Sequence, residues 1–248
     1  NKKKKMLTPG PGCLLPENLL GLKPAFGRGD EDYLETESRV LSQLRQLSGH
    51  EHIARMQGSG TLAIEVAIAS FVAGQVLIVD GGYYSQRMYH ICQMAQKRKK
   101  DILDIKLISS DHLHTFQGKV DWVLTAYVET AQGYKQNLEK IKDFCLRLDS
   151  KLLLDSTASF ALEDHHELAD VITYSFCKGL FGITGASFIN YHEEDYVYEP
   201  SFYLDIRSHL EKKITGPYHQ ICALEAVLSK IKEIRSCVSK SKHEFMEK

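Results

Sequence analysis

Two apolar patterns alternate along most of this chain, one of helical period and one of short unbroken runs. "TLAIEVAIASFVA" predicts a helix and "QVLIVD" a strand. "YSQRMYHICQMAQKRKK" predicts a helix, then "DIKLIS" and "DWVLTAYVE" each predict a strand. "NLEKIKDFCLRLDS" is again helical, and "KLLLD", "DVITYSF" and "ASFINY" are three more strands. Ahead of these, "DEDYLETESRVLSQLRQLSG" spaces Leu34, Val40, Leu41, Leu44 and Leu47 near helical period and stops at Gly49. The last stretch, "PYHQICALEAVLSKIKEIRSCVSKSKHEFMEK", predicts one long helix. The opening "MLTPGPGCLLP" is too rich in Pro and Gly for regular helix or a central strand.

Strands of four to six residues, rich in Val, Ile and Leu and interleaved with helices, predict an α/β domain with a mostly parallel sheet. Such sheets bind ligands outside the carboxyl ends of their strands. Asp80, Glu129, Asp155 and Lys178 all fall at predicted strand ends, which gathers them at one rim.

Composition narrows the partners. The 248 residues are 43% hydrophobic and 25% charged with a net charge of −1, so no global basic field favours nucleic acid or an anionic membrane. Lys2–Lys5 and Lys97–Lys100 are short basic runs without interleaved aromatics and read as solvated faces. No apolar stretch has the length of a membrane span, and no signal peptide is visible after Asn1. Six cysteines (Cys13, Cys92, Cys145, Cys177, Cys222 and Cys237) lack CxxC spacing, which predicts reduced thiols and a cytoplasmic protein. "DHLH" and "DHH" carry histidines, but no four ligands have the spacing of a metal site.

The candidate chemistry begins at "QGSGTLAIEVAIAS". Gly58, Ser59, Gly60 and Thr61 precede a strong helix, where small residues and the helix N-terminus favour an anion. The turn lacks the lysine of a P-loop and does not fit GxGxxG, and a Thr61 N-cap after a turn explains it equally well. Asp155 alone reads as a loop acid. Lys178 follows an apolar strand and precedes the glycine-bearing loop "GLFGITG" without an adjacent acid, a setting that favours the neutral, nucleophilic amine. Together they change meaning, because pyridoxal phosphate needs a phosphate cup, an aromatic face, an acid under its ring nitrogen and a lysine for its aldehyde.

In that order and spacing the chain resembles the class V, fold-type-I pyridoxal-phosphate-dependent aminotransferases, and among them the 2-aminoethylphosphonate:pyruvate branch. The matching pieces are "LTPGPG", "MQGSGTLAIEVAIAS", "VLIVDGGYYSQRM", "VETAQG", "LLLDSTASF", "SFCKGLFGITGASFI", "SFYLDI" and "TGP". The resemblance implies the large α/β domain of that fold and transfer of an amino group, with phosphonoacetaldehyde and alanine as products. It implies Lys178 as the lysine that binds the cofactor and moves the substrate's proton, and Asp155 as the acid on the pyridine nitrogen. Ser59, Gly60 and Thr61 match the phosphate cup, Tyr84 the stacking aromatic, and Thr130 a hydroxyl near the ring oxygen. Cys177 stands beside the lysine where relatives carry Asn or Gln. Thr215 matches a residue that reaches a neighbour's phosphate, which implies a homodimer with shared active sites. Arg28 is the candidate for the substrate's anionic group. Position 186 is Ala rather than the arginine of the aspartate type, and Thr184 replaces a common Pro.

The expected organisation is an arm over 1–30, a cofactor domain over 31–228 and, from 229 to 248, the start of a helix leading to a small domain expected to be absent. Alternatives are an alanine:glyoxylate or serine:pyruvate exchange, or a non-catalytic homologue without the substrate clamp.

Overall fold

A computed structural model describes residues 10–23 and 29–247. Its centre is a seven-stranded sheet of β1 (His52–Gln57), β2 (Gly74–Asp80), β3 (Ile102–Ser109), β4 (Trp122–Ala126), β7 (Lys151–Asp155), β8 (Val171–Ser175) and β9 (Ala186–Tyr191). The spatial order is β1-β9-β8-β7-β4-β2-β3. Only β9 runs against the others, pairing antiparallel with both β1 and β8. Two short strands, β5 (Val128–Glu129) and β6 (Tyr134–Lys135), form a separate hairpin.

Side chains on a strand alternate between faces, and the core divides accordingly. Leu77 and Val79 point to one apolar cluster, Val76 and Ile78 to the other. The first face is covered by α2 (Glu31–Ser48), α5 (Leu138–Leu148) and α7 (Tyr218–Leu228). The second is covered by α3 (Gly60–Phe71), α4 (Tyr83–Arg98) and α6 (Ile206–Leu210). A sheet buried on both faces explains why its strands read as unbroken apolar runs.

Caps set the helix starts. Asp30 accepts from the Tyr33 N–H, Ser59 from Leu62 and Asn137 from Lys140. Helix α2 stops at Gly49, which takes φ +74°, a left-handed turn open to glycine. Before α2, α1 (Pro16–Gly21) and the residues leading into it lie along the loop after β8. Gly12 N–H donates to Cys177 O at 2.8 Å, and Asn18 Nδ2 to Phe181 O at 2.9 Å. Among the described residues no helix is long and apolar enough to cross a membrane.

Two expectations are corrected and one strand is added. The long terminal helix is two, α7 and α8 (Ile231–Met246), although the apolar period continues across the gap. There the Ser229 hydroxyl donates to Ala226 O at 2.7 Å, and Lys230 N–H bonds three residues back, to Val227 O, rather than four. "DWVLTAYVE" is not one strand: it leaves the sheet at Tyr127 and enters the β5–β6 hairpin. Strand β1 is an addition, in "HIARMQ", which has no apolar run to announce it.

Candidate active site

The carboxyl ends of the parallel strands meet at one rim, and a cleft opens there. Gly60, Thr61, Ile64, Tyr84, Arg87, Val128, Asp155, Thr157, Ala158 and Lys178 line it. Five of these were singled out in the sequence, and their separation along the chain shows that the topology brings them together.

Asp155 ends β7, between Ala126 of β4 and Thr173 of β8. Its Oδ1 accepts from the Thr157 hydroxyl at 2.6 Å and the Thr157 N–H at 2.9 Å. Its Oδ2 takes no hydrogen bond, and no cation lies within 4 Å, among the described residues. Burial pushes this carboxyl above the usual carboxylate range; Thr157, then Lys178 and Arg87, only partly offset that push.

Lys178 lies just past β8, half-buried, with Nζ 5.0 Å from the centre of the Tyr84 ring. No described carboxylate or hydrogen-bond acceptor engages that nitrogen. Its stem runs against the backbone of Gly10, where a Cβ would stand 2.7 Å from Lys178 Cγ. The backbone of Gly10 therefore packs against one side of the lysine stem.

Tyr84 is placed from below by Glu129, whose Oε2 accepts the Tyr84 N–H at 2.8 Å. Glu129 is fully buried and approaches Gly82 so closely that a Cβ there would meet its Cγ at 2.9 Å. Gly82 also takes φ +137°, so both space and conformation require glycine. Gly60 opens α3 in similar confinement, with Thr157 Oγ1 2.9 Å from the position of a Cβ.

The other expected residues that the structure describes do not line the cleft. Ser59 spends its hydroxyl oxygen on the α3 cap, so the cap is Ser59 and not Thr61. Thr130 follows β5, and its Oγ1 is buried with no hydrogen-bond partner. Cys177 points Sγ to Ser175 Oγ at 3.4 Å. Thr215 belongs to the loop between α6 and α7, away from the cleft lining. Arg28 lies outside the described residues.

Arg87 and Thr157 are additions. Arg87 sits three positions after Tyr84, on the same helix face, and Thr157 two positions after an acid, a spacing that favours local capping of a side chain. Both signals were legible in the sequence.

No family model matches the chain. A 2-aminoethylphosphonate–pyruvate transaminase from Polaromonas sp. is 25% identical over 202 residues, 76% of this chain and 54% of that protein. One from Pseudomonas aeruginosa is 24% identical over 259 residues, 92% of this chain and 68% of that protein. One from Pseudomonas putida strain W619 is 28% identical over 202 residues, 74% and 54% respectively. The chain thus spans about half the length of the first of these relatives. Among solved structures, an aspartate aminotransferase of subgroup IV from Thermus thermophilus superposes with a TM-score of 0.82 at 22% identity, over 93% of this chain and 72% of that one. An alanine–glyoxylate aminotransferase from Nostoc sp. gives 0.79 at 21% identity, over 94% and 70%. The chain has the fold of the fold-type-I pyridoxal-phosphate aminotransferases and is similar in sequence to the class V members known as 2-aminoethylphosphonate–pyruvate transaminases.

Proposed function

We propose that this chain is the cofactor-binding part of a pyridoxal-phosphate-dependent aminotransferase. The observation that carries the proposal is the meeting of Asp155 and Lys178 in one cleft, each without a charged partner within ion-pair distance among the described residues. The donor set fits the cofactor. Asp155 is a buried residue whose Oδ2 takes no hydrogen bond among the described residues, a buried Thr130 hydroxyl lacks a partner, and the Lys178 amine stands 5.0 Å from the Tyr84 ring centre. When bound, pyridoxal phosphate supplies an aldehyde for a primary amine and a ring that accepts electrons from the carbon bearing that amine.

The chain's own residues then divide the work. Lys178 offers the amine for the aldehyde and afterwards carries a proton on Nζ. Asp155 would hold a proton on the ring nitrogen, since a buried anion favours an adjacent cation. Tyr84 would cover one face of the ring and exclude water there. Gly60 and Thr61, with Ser59 just behind them, would offer the N–H groups of α3 to the phosphate. Residues 31–228 make up the cofactor domain in this reading, and the break at Ser229 supports that boundary.

The amino donor we favour is 2-aminoethylphosphonate and the acceptor pyruvate, giving phosphonoacetaldehyde and alanine. Support comes from the sequence relatives; the alanine–glyoxylate fold neighbour fits the same site equally. Arg28 is the candidate for the donor's anionic end, and Thr215 for a contact across a homodimer. Titrating the protein with pyridoxal phosphate tests the reading. A visible absorbance band, lost in Lys178→Ala, is expected, and no band would sink the proposal. Bleaching of that band by 2-aminoethylphosphonate but not by alanine or serine supports the favoured donor; the reverse order supports the exchange of alanine.

A further inference from the structure

We propose that Arg87 supplies the positive charge that pairs with the cofactor's phosphate, an assignment that rests on the cofactor reading above. Arg87 stands in the first turns of α4 and lines the cleft. Its Nη1 donates to Thr61 Oγ1 at 3.1 Å, which fixes the guanidinium at the N-terminus of α3. Its Cζ lies 5.0 Å from the ring centres of both Tyr83 and Tyr84. Two aromatic faces hold a cation without neutralising it. Among the described residues no carboxylate comes within 4 Å of it, whereas Arg39, Arg55, Arg98, Arg207 and Arg235 each have an acid at that distance. Arg87 is thus a held, half-buried and uncompensated cation that faces the cleft.

The charge is needed. A phosphate monoester carries roughly −1.5 to −2 at neutral pH, while a helix N-terminus supplies only about half a positive charge. The turn before α3 has no lysine, and Cys177 offers a weak donor already turned to Ser175. A guanidinium fork supplies two parallel donors of the geometry that a phosphate accepts. The competing role for Arg87 is mechanical: a strut that keeps the Tyr84 ring over the cleft.

The two roles part when the phosphate is removed from the ligand. The full chain and its Arg87→Gln and Arg87→Lys variants are titrated with pyridoxal 5′-phosphate and with pyridoxal, which keeps ring and aldehyde but lacks the phosphate. Visible absorbance reads both. Arg87→Gln is expected to weaken the phosphate form at least about ten-fold, the size of one charge-assisted hydrogen bond. It is expected to leave pyridoxal affinity unchanged, with Arg87→Lys in between. Inorganic phosphate competes with pyridoxal phosphate in the unmodified chain and competes poorly in Arg87→Gln. Equal losses for both ligands would assign Arg87 the mechanical role and overturn the proposal, as would unaltered binding of the phosphate form. An unmodified chain that takes up neither ligand removes the cofactor reading itself, and this inference with it.

Discussion

Glu37 and Asp155 are both buried carboxylates, 3% and 6% exposed, held on opposite terms. Glu37, on α2, receives Arg55 Nε at 2.6 Å, Lys212 Nζ at 2.6 Å and the Tyr33 hydroxyl at 2.9 Å. Burial alone would push its carboxyl up; Lys212, Arg55 and Tyr33 together outweigh burial and hold it below the usual range. Asp155 has one threonine and no cation within ion-pair distance among the described residues, and burial wins. The fold satisfies the first acid from within. The second is left without a cation within ion-pair distance among the described residues, which fits the proposed cofactor site better than a strut.

The largest effect that would test this contrast is expected at Glu37. Glu37→Gln leaves Arg55 buried beside an amide and should cost about 3–5 kcal/mol, read as a fall in the urea midpoint. A loss under about 1 kcal/mol would erase the distinction. Asp155→Asn keeps an acceptor for both Thr157 donors and removes a costly charge. Its stability should stay within about 1 kcal/mol of the unmodified chain or rise, while conversion of an amino donor falls roughly 10²–10³-fold. A collapse in stability would make Asp155 a second strut.

The smallest effect lies in pH. Burial, aided by histidine neighbours, pushes His50 and His166 to about 4, so between about pH 6.5 and 4 the unfolded chain takes up protons that the folded chain refuses. Stability therefore falls on acidification in every variant. The carboxylates separate on top of that background. The raised Asp155 protonates first in the folded state, which relieves its cost as pH drops, so the difference between Asp155→Asn and the unmodified chain should shrink. Glu37 contributes stability that is full above its unfolded range and is lost progressively as pH falls below that range toward its depressed folded value. Its difference should therefore hold flat down to about pH 5 and narrow only below it. Urea midpoints at a series of pH values check both slopes, and parallel slopes would count against the comparison.

The same contrast explains what was legible from the chain. Asp155 and Lys178 end apolar strands, and β7 and β8 announce themselves by composition, so the rim and its residues follow from local pattern. Strand β1 was invisible because its buried Arg55 reads as a surface residue until Glu37, on another element, is placed beside it. No local window contains that pairing. The break between α7 and α8 escaped for the opposite reason: the apolar period runs on, and only a serine hydroxyl turned to Ala226 marks it. The spacing of Arg87 from Tyr84 is readable in the sequence, but its role is not. Its meaning depends on α3 and α4 starting side by side, which only the sheet order provides.

The close approach of Gly10 to Lys178 has a thermodynamic consequence. A lysine stem gives up on the order of 1.5–2 kcal/mol of rotamer freedom when it is fixed. Here a strip of glycine backbone from the far end of the chain moulds the stem, so that loss falls on folding and not on encounter with a ligand. The aim of the amine is thereby set by a segment that carries no reactive group of its own. A side chain at position 10 would set its Cβ 2.7 Å from Lys178 Cγ and push the stem aside, leaving the amine's identity untouched and its aim altered.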